Sequence, residues 1–297
     1  MSNTNPYPQQ PIRPVRTLCR VEPSEPVPSA FSVSELLQDA WDIGIKCWQP
    51  FLFMGLIVGG FNLAALVFAY ACTVIPIVLI VATQQPPDIG MVIAVASIVF
   101  LVLLVMSLVL VWLYAGQIAY SLAIVRGEEP PLSMLFSGMK NFWGILVAGA
   151  NIVIVILCVY FVFFVITFYL PLLFLMVNSE PPPILAVLAM CCMLFGGLAG
   201  ILTVWCLSVM FSLTYFFVVD RQQGPVEAMK SSWRFVRTHF WKVLGFVFLI
   251  LVFALVAGSI PLAGMFIGIP VALCLYTVLY LKLTGQPLGL GVSSGDP

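Results

Sequence analysis

Charge is what this chain has least of. Only 8% of its 297 residues are Asp, Glu, Lys or Arg, against about 25% in a soluble domain whose surface faces water. So little charge cannot clothe a molecule of this size in a hydrated shell, which excludes an ordinary soluble fold. Histidine is scarcer still. His239 stands alone, which excludes a multi-histidine metal site and a histidine proton relay. Twelve basic and twelve acidic side chains cancel, so no global basic field argues for nucleic acid as a partner. The long apolar runs hold no paired titratable groups for acid–base work, and no HExxH or phosphate-loop pattern occurs. No enzyme activity, cofactor or metal is expected on these grounds. Ionisable residues inside membrane segments mark ion paths, and their absence counts against an ion-coupled transporter.

Apolar residues are what the chain has in quantity, at 62%. The bilayer is therefore the expected solvent. Six of the eight cysteines lie within the apolar runs and none stands in a CxxC pair, so they read as small buried hydrophobes. The first fifty residues carry no short apolar signal core, so the first transmembrane helix is expected to drive insertion. Residues 1–30 hold seven prolines among polar residues. They read as a disordered tail, or alternatively as a ligand for a proline-binding domain. Residues 288–297 form a second short tail.

Five stretches lack any charge: Cys47–Pro87, Ile89–Val125, Asn141–Ser179, Pro181–Val219 and Val243–Leu281. About 20 apolar residues suffice to cross the hydrocarbon. The first four stretches give one helix each, near 51–75, 92–122, 146–172 and 185–217. The fifth contains Gly258-Ser-Ile-Pro-Leu-Ala-Gly264, which permits either a hairpin of helices near 243–259 and 262–282 or one crossing kinked at Pro261. Charge placement decides between them. With six crossings the outer loops carry Asp88 and Glu180 and no Lys or Arg, while all twelve basic residues share the other side. The positive-inside rule makes that side cytoplasmic, with both termini there. Five crossings would strand Lys282 outside.

Three segments before odd-numbered crossings resemble one another: Ser32–Phe53, Pro131–Val147 and Pro225–Phe246. Each has a helix-start signal, an amphipathic stretch, then a tryptophan at the membrane boundary. Trp48, Trp143 and Trp241 are separated by 95 and 98 residues. The ends of the even crossings also match. Tyr120–Pro130 parallels Tyr215–Pro225 at a spacing of 95, and Tyr280–Pro287 is a looser third copy. The fold class expected is an all-α, polytopic transmembrane bundle. Its six helices form three pseudo-repeated units, each an interfacial helix plus a transmembrane hairpin, over 31–287.

The interfacial helices are expected near 32–47, 131–142 and 225–240. In the first, Val33, Leu37, Trp41, Ile45 and Trp48 recur on one face, opposite Glu35, Asp39, Asp42 and Lys46. Ser32 and Glu35 make a capping-box pattern. In the third, Pro225 suits the first turn, and Met229, Trp233, Val236 and Phe240 alternate with Lys230, Arg234 and Arg237. Such helices either lie at the headgroup level or serve as solvated connectors. Candidate contacts to membrane lipid or a protein partner are Trp41, Trp48, Trp143, Trp233, Arg234, Arg237 and Trp241. Within the membrane, Asn62, Gln117 and Asn151 are candidate polar contacts. They would either line a path for an amphiphile or hydrogen-bond between helices. Gly59-Gly60 and the cluster Gly196, Gly197 and Gly200 are expected at close helix crossings.

The last third carries a family resemblance. An aromatic helix end is followed by Asp220-Arg221-Gln-Gln-Gly-Pro-Val-Glu-Ala-Met-Lys-Ser-Ser-Trp233, then a transmembrane helix, a Gly258…Gly264…Gly268…Pro270 hairpin and Tyr276…Tyr280-Leu. This resembles a group of bacterial six-helix membrane proteins of unknown function, related to the membrane domain fused to some glycerophosphodiester phosphodiesterases. The likeness is weaker over 31–214 and absent from the tail. It implies six crossings in a bacterial cytoplasmic membrane and no reaction, because the phosphodiesterase barrel with its ligands is missing. The reading is a non-catalytic scaffold, accessory subunit or regulator of membrane properties. The alternative is a transporter or flippase-like permease for a lipid-related or apolar solute.

Overall fold

The computed structural model describes residues 32–82, 89–177, 182–259 and 264–289. The proline-rich tail, Asp88, Glu180, Pro261, Cys19 and the last eight residues lie outside them. Among the described residues the chain is helical throughout and has no strand. Six helices are long and apolar enough to cross a membrane: Trp48–Cys72, Val92–Val125, Leu132–Leu173, Pro183–Arg221, Phe240–Gly258 and Phe266–Leu283. The last apolar stretch thus folds as two helices of 19 and 18 residues rather than one kinked crossing. An all-α bundle of six transmembrane helices is the architecture.

The elements run α1 (Val33–Lys46), α2 (Trp48–Ala82), α3 (Ile89–Val125), a 3-10 helix (Leu132–Asn141), α4 (Phe142–Phe164) and α5 (Leu170–Val177). They continue with α6 (Pro183–Met210), α7 (Thr214–Arg221), α8 (Pro225–Thr238), α9 (Phe240–Gly258) and α10 (Ile269–Leu283). Ser32 caps α1 through a complete capping box. Its hydroxyl accepts from the Glu35 N–H at 3.1 Å, while the Glu35 carboxylate accepts from the Ser32 N–H at 3.1 Å. Pro225 opens α8, where its missing N–H is not needed.

The segment after Pro131 departs from the α-helix its neighbours form. In a 3-10 helix residues three apart line up, and Leu135 and Gly138 together face α3. A Cβ on Gly116 would collide with the Leu135 carbonyl, and one on Gly138 with the Trp112 carbonyl. The Trp112 indole N–H donates to the Phe136 carbonyl at 3.2 Å, fixing this seam. Two glycines and the tighter coil bring the backbones into contact.

Short π-helical segments occur at Val165–Tyr169 and Gly264–Gly268. Each precedes a proline, Pro171 or Pro270, that cannot donate to the carbonyl four residues back. For Pro270 that carbonyl belongs to Phe266, and α2 approaches it at Gly55, where any Cβ would collide. Gly196 likewise sits against Thr167, with Gly197 near Phe168 and Gly200 near Phe163. Gly60 faces open space, so no crossing occurs there.

The packed core lies toward the end where the basic residues gather. Within α3 no described side chain before Leu113 is buried, yet most from Leu113 to Val125 are. α10 is buried on nearly every side, as a helix apolar all round should be. Elsewhere large apolar side chains face outward, Ile184 at 80% and Phe195 at 72% exposed among them. A surface of that kind needs hydrocarbon around it.

At the charged end α1 packs on α10, the 3-10 helix on α3, and α8 on α7. Each short helix therefore rests on the end of a transmembrane helix from a neighbouring hairpin. Three left-handed residues, Gly127, Gln222 and Gly285, terminate those same three helices.

Candidate functional site

The ends of α3, α7 and α10 meet in a polar hub. Arg126 ion-pairs with Asp220 and donates to the Gln286 amide oxygen at 2.6 Å. Asp220 also accepts from the Tyr280 hydroxyl at 2.7 Å and from the Gln286 amide nitrogen at 3.0 Å. The Tyr280 ring is stacked against Phe216 and meets Phe217 edge-on. Arg221 lies over Phe217 and Phe235, which ties α7 to α8. Both oxygens of the Asp220 carboxylate are thus partnered, and the hub joins three helix ends. Sequence reasoning noted these segments as repeat landmarks and missed the hub. The available signal was a carboxylate next to Arg221 at a helix end matching Arg126.

A second ion pair joins Lys282 at the end of α10 to Asp39 of α1. It holds α1 with Leu36, Ala40 and Ile43 buried against the bundle. The face expected to carry Leu37, Trp41, Ile45 and Trp48 points away from that seam. Trp41 is 70% exposed, and it rims an apolar groove of about 810 Å³ shared with α2, α9 and α10.

α8 builds the second groove. Ala228, Ser232, Phe235 and Val236 are buried, and the Ser232 hydroxyl anchors the helix by donating to the Met210 carbonyl at 2.7 Å. The outward face presents Lys230, Arg234 and Arg237 beside Trp233 and Phe211 around a space of about 780 Å³. Among the described residues none of the three cations is ion-paired. Glu227, in the first turn, is the one carboxylate on this helix. Trp48, Trp143 and Trp241 are exposed like Trp41, while Trp233 is partly covered by Phe211. His239 follows α8 directly, and burial together with the Lys242 cation pushes its imidazole below the ordinary value. Burial raises the Cys47 thiol at the other junction.

Within the membrane-spanning part, Asn62 and Gln117 line one cavity of about 580 Å³, open on one side, together with Tyr114 and Tyr215. Asn151, half-buried on α4, is not among the lining residues. The Asn62 amide donates to the Val58 carbonyl of its own helix at 2.8 Å. Tyr114 and Tyr215 meet edge-on at 5.6 Å. Of these two, Tyr215 was legible in the sequence only as a repeat landmark, and Tyr114 was missed. Among the described residues no group of three His, Cys, Asp or Glu side chains is placed to hold a metal ion.

Fold and surface together define a multi-pass, all-helical membrane protein with an aromatic and basic collar at one end. Comparison with protein-family models, curated proteins and solved structures gives no match for this chain.

Proposed function

We propose that the chain is a non-catalytic protein of the bacterial cytoplasmic membrane. It acts as a scaffold, accessory subunit or regulator of membrane properties whose interfacial helices engage anionic lipid headgroups. The supporting observation is the α8 groove, where three cations, unpaired among the described residues, surround tryptophan and phenylalanine at the helix leading into α9. Basic residues near an anionic leaflet each contribute about 1 kcal/mol, and tryptophan favours the headgroup level. The resemblance of residues 215–287 to bacterial six-helix membrane proteins supports the same setting. So does the three-unit repeat, which the cyclic packing of α1, the 3-10 helix and α8 supports in turn. A protein partner is the other occupant these helices, or the proline-rich tail, would serve.

The test is lipid association of the purified protein with phosphatidylglycerol against phosphatidylcholine. Replacing Arg234 and Arg237 by Gln should weaken the anionic preference by about 2 kcal/mol, close to thirtyfold. Adding Trp41→Ala, Trp143→Ala and Trp233→Ala should weaken it further. Unchanged lipid association and complex formation in the combined variant would overturn the reading.

The cavity shared by Asn62 and Gln117 favours a second reading, a permease for a lipid-related or apolar solute. Solute flux through proteoliposomes that is lost on filling the cavity would support it over a purely structural role.

A further inference from the structure

We infer that the cavity between α2, α3, α4 and α7 is a binding site for one uncharged amphiphile, a neutral glycerolipid of the diacylglycerol type. The inference rests on what the cavity leaves unpartnered. Gln117 is 5% exposed, and among the described residues its amide makes no hydrogen bond and keeps its accessible surface in this space. Among the described residues the hydroxyls of Tyr114 and Tyr215 on the same wall are equally without a hydrogen-bond partner. The Asn62 amide nitrogen is satisfied by Val58, which leaves its carbonyl oxygen free as an acceptor. Buried polar groups in an apolar medium are unfavourable unless hydrogen-bonded. Three donors and several acceptors that line one space within the membrane, without protein partners among the described residues, therefore describe a ligand's polar end.

Charge narrows the ligand. No Asp, Glu, Lys, Arg or His lines the cavity, and Arg126 stands about 13 Å further along α3 at the helical rise. A phosphate or carboxylate would be taken from water with nothing to neutralise it. Hydroxyl and ester carbonyl groups, by contrast, suit tyrosine hydroxyls and carboxamides in both directions. The remaining wall, with Leu110, Val111, Ile145, Leu146 and Ile269, is apolar and accommodates hydrocarbon. A volume of about 580 Å³ holds the glycerol end and the first part of the chains, and the open side lets the rest of the acyl chains run into the bilayer. Gly149 keeps the Tyr215 side clear, since a Cβ there would stand 3.3 Å from the Tyr215 hydroxyl. The inference deepens the permease reading by naming a ligand class, and it holds whether or not the ligand is moved.

The experiment is equilibrium binding of radiolabelled dioleoylglycerol to the purified full chain in detergent, beside dioleoyl phosphatidic acid and a hydrocarbon of equal chain length. Saturable binding of one dioleoylglycerol per chain is expected, with the charged and the purely apolar probes at least tenfold weaker. Tyr215→Phe removes a hydroxyl that no protein group uses, so it should leave folding intact and weaken binding severalfold. Gln117→Leu should weaken binding about tenfold while leaving thermal stability equal or higher, because an unpartnered amide is lost. A structural glutamine would do the reverse. Ala150→Phe, which fills the cavity, should abolish binding. Arg234→Gln with Arg237→Gln should leave it unchanged, so failure of this site and failure of the headgroup collar are separable. Absence of saturable binding, equal binding of all three probes, or binding indifferent to both Tyr215→Phe and Gln117→Leu would overturn the inference. The last of these outcomes would place the bound lipid elsewhere on the protein. Binding without flux would remove the permease reading alone.

Discussion

At the residue scale the Arg126–Asp220 pair carries the clearest consequence. Removing one partner of a buried ion pair leaves an uncompensated charge and costs roughly 3 kcal/mol or more, while replacing both by apolar groups is far milder. Arg126→Met alone should lower the unfolding temperature in detergent strongly, because Asp220 keeps only Tyr280 and Gln286. Adding Asp220→Leu should recover much of the loss, the coupling measured by a double-mutant cycle. Equal losses in single and double variants would show that the hub stabilises nothing. His239 adds a pH term. Its imidazole titrates below the ordinary 6.5 in the folded protein, so the unfolded chain binds a proton more readily. Stability should therefore fall as pH drops below about 6.5 and be indifferent to this group above it. His239→Gln should flatten that limb of a melting-temperature profile.

Elements show why part of the fold was legible and part was not. Six helices of membrane length were legible from length and apolarity, because both are properties of a segment against the bilayer. The capping box at Ser32 was legible for the same reason, being local. The 3-10 helix was not, since what selects it is the meeting of Gly116 and Gly138 across 22 residues of sequence. The helical spacing in α1 was legible, yet the face that is buried carries Leu36, Ala40 and Ile43, on the helix that Asp39 ties to Lys282 at the far end of the chain. Likewise Asn62 and Gln117 were recognisable as polar, but their sharing a cavity that excludes Asn151 is tertiary. Two outcomes follow from these elements. Gly116→Val should displace the 3-10 helix and destabilise the protein by about 2 kcal/mol through overpacking, read as a lower melting temperature and faster amide exchange over 132–141. Ser32→Ala should remove about 1 kcal/mol from α1, seen as faster exchange confined to 33–46, with α10 unchanged.

For the whole molecule, the decisive asymmetry is between its two ends. Buried contacts, ion pairs and aromatic stacking concentrate where Arg126, Asp220, Tyr280 and Gln286 meet. Away from that end the helices present exposed apolar side chains. A water-soluble protein arranged this way would aggregate, whereas in a bilayer the same surface meets hydrocarbon at no cost. In the proposed orientation the packed end, which carries lysine and arginine, lies on the cytoplasmic side. In intact cells a cysteine placed at Lys230 or Lys282 should resist a membrane-impermeant maleimide and react only after permeabilisation. One placed at Asp88 or Glu180 should react from outside. The protein should also stay with the membrane pellet after carbonate washing. Labelling of position 230 or 282 from outside would reverse the orientation, and recovery in the carbonate supernatant would refute the embedding.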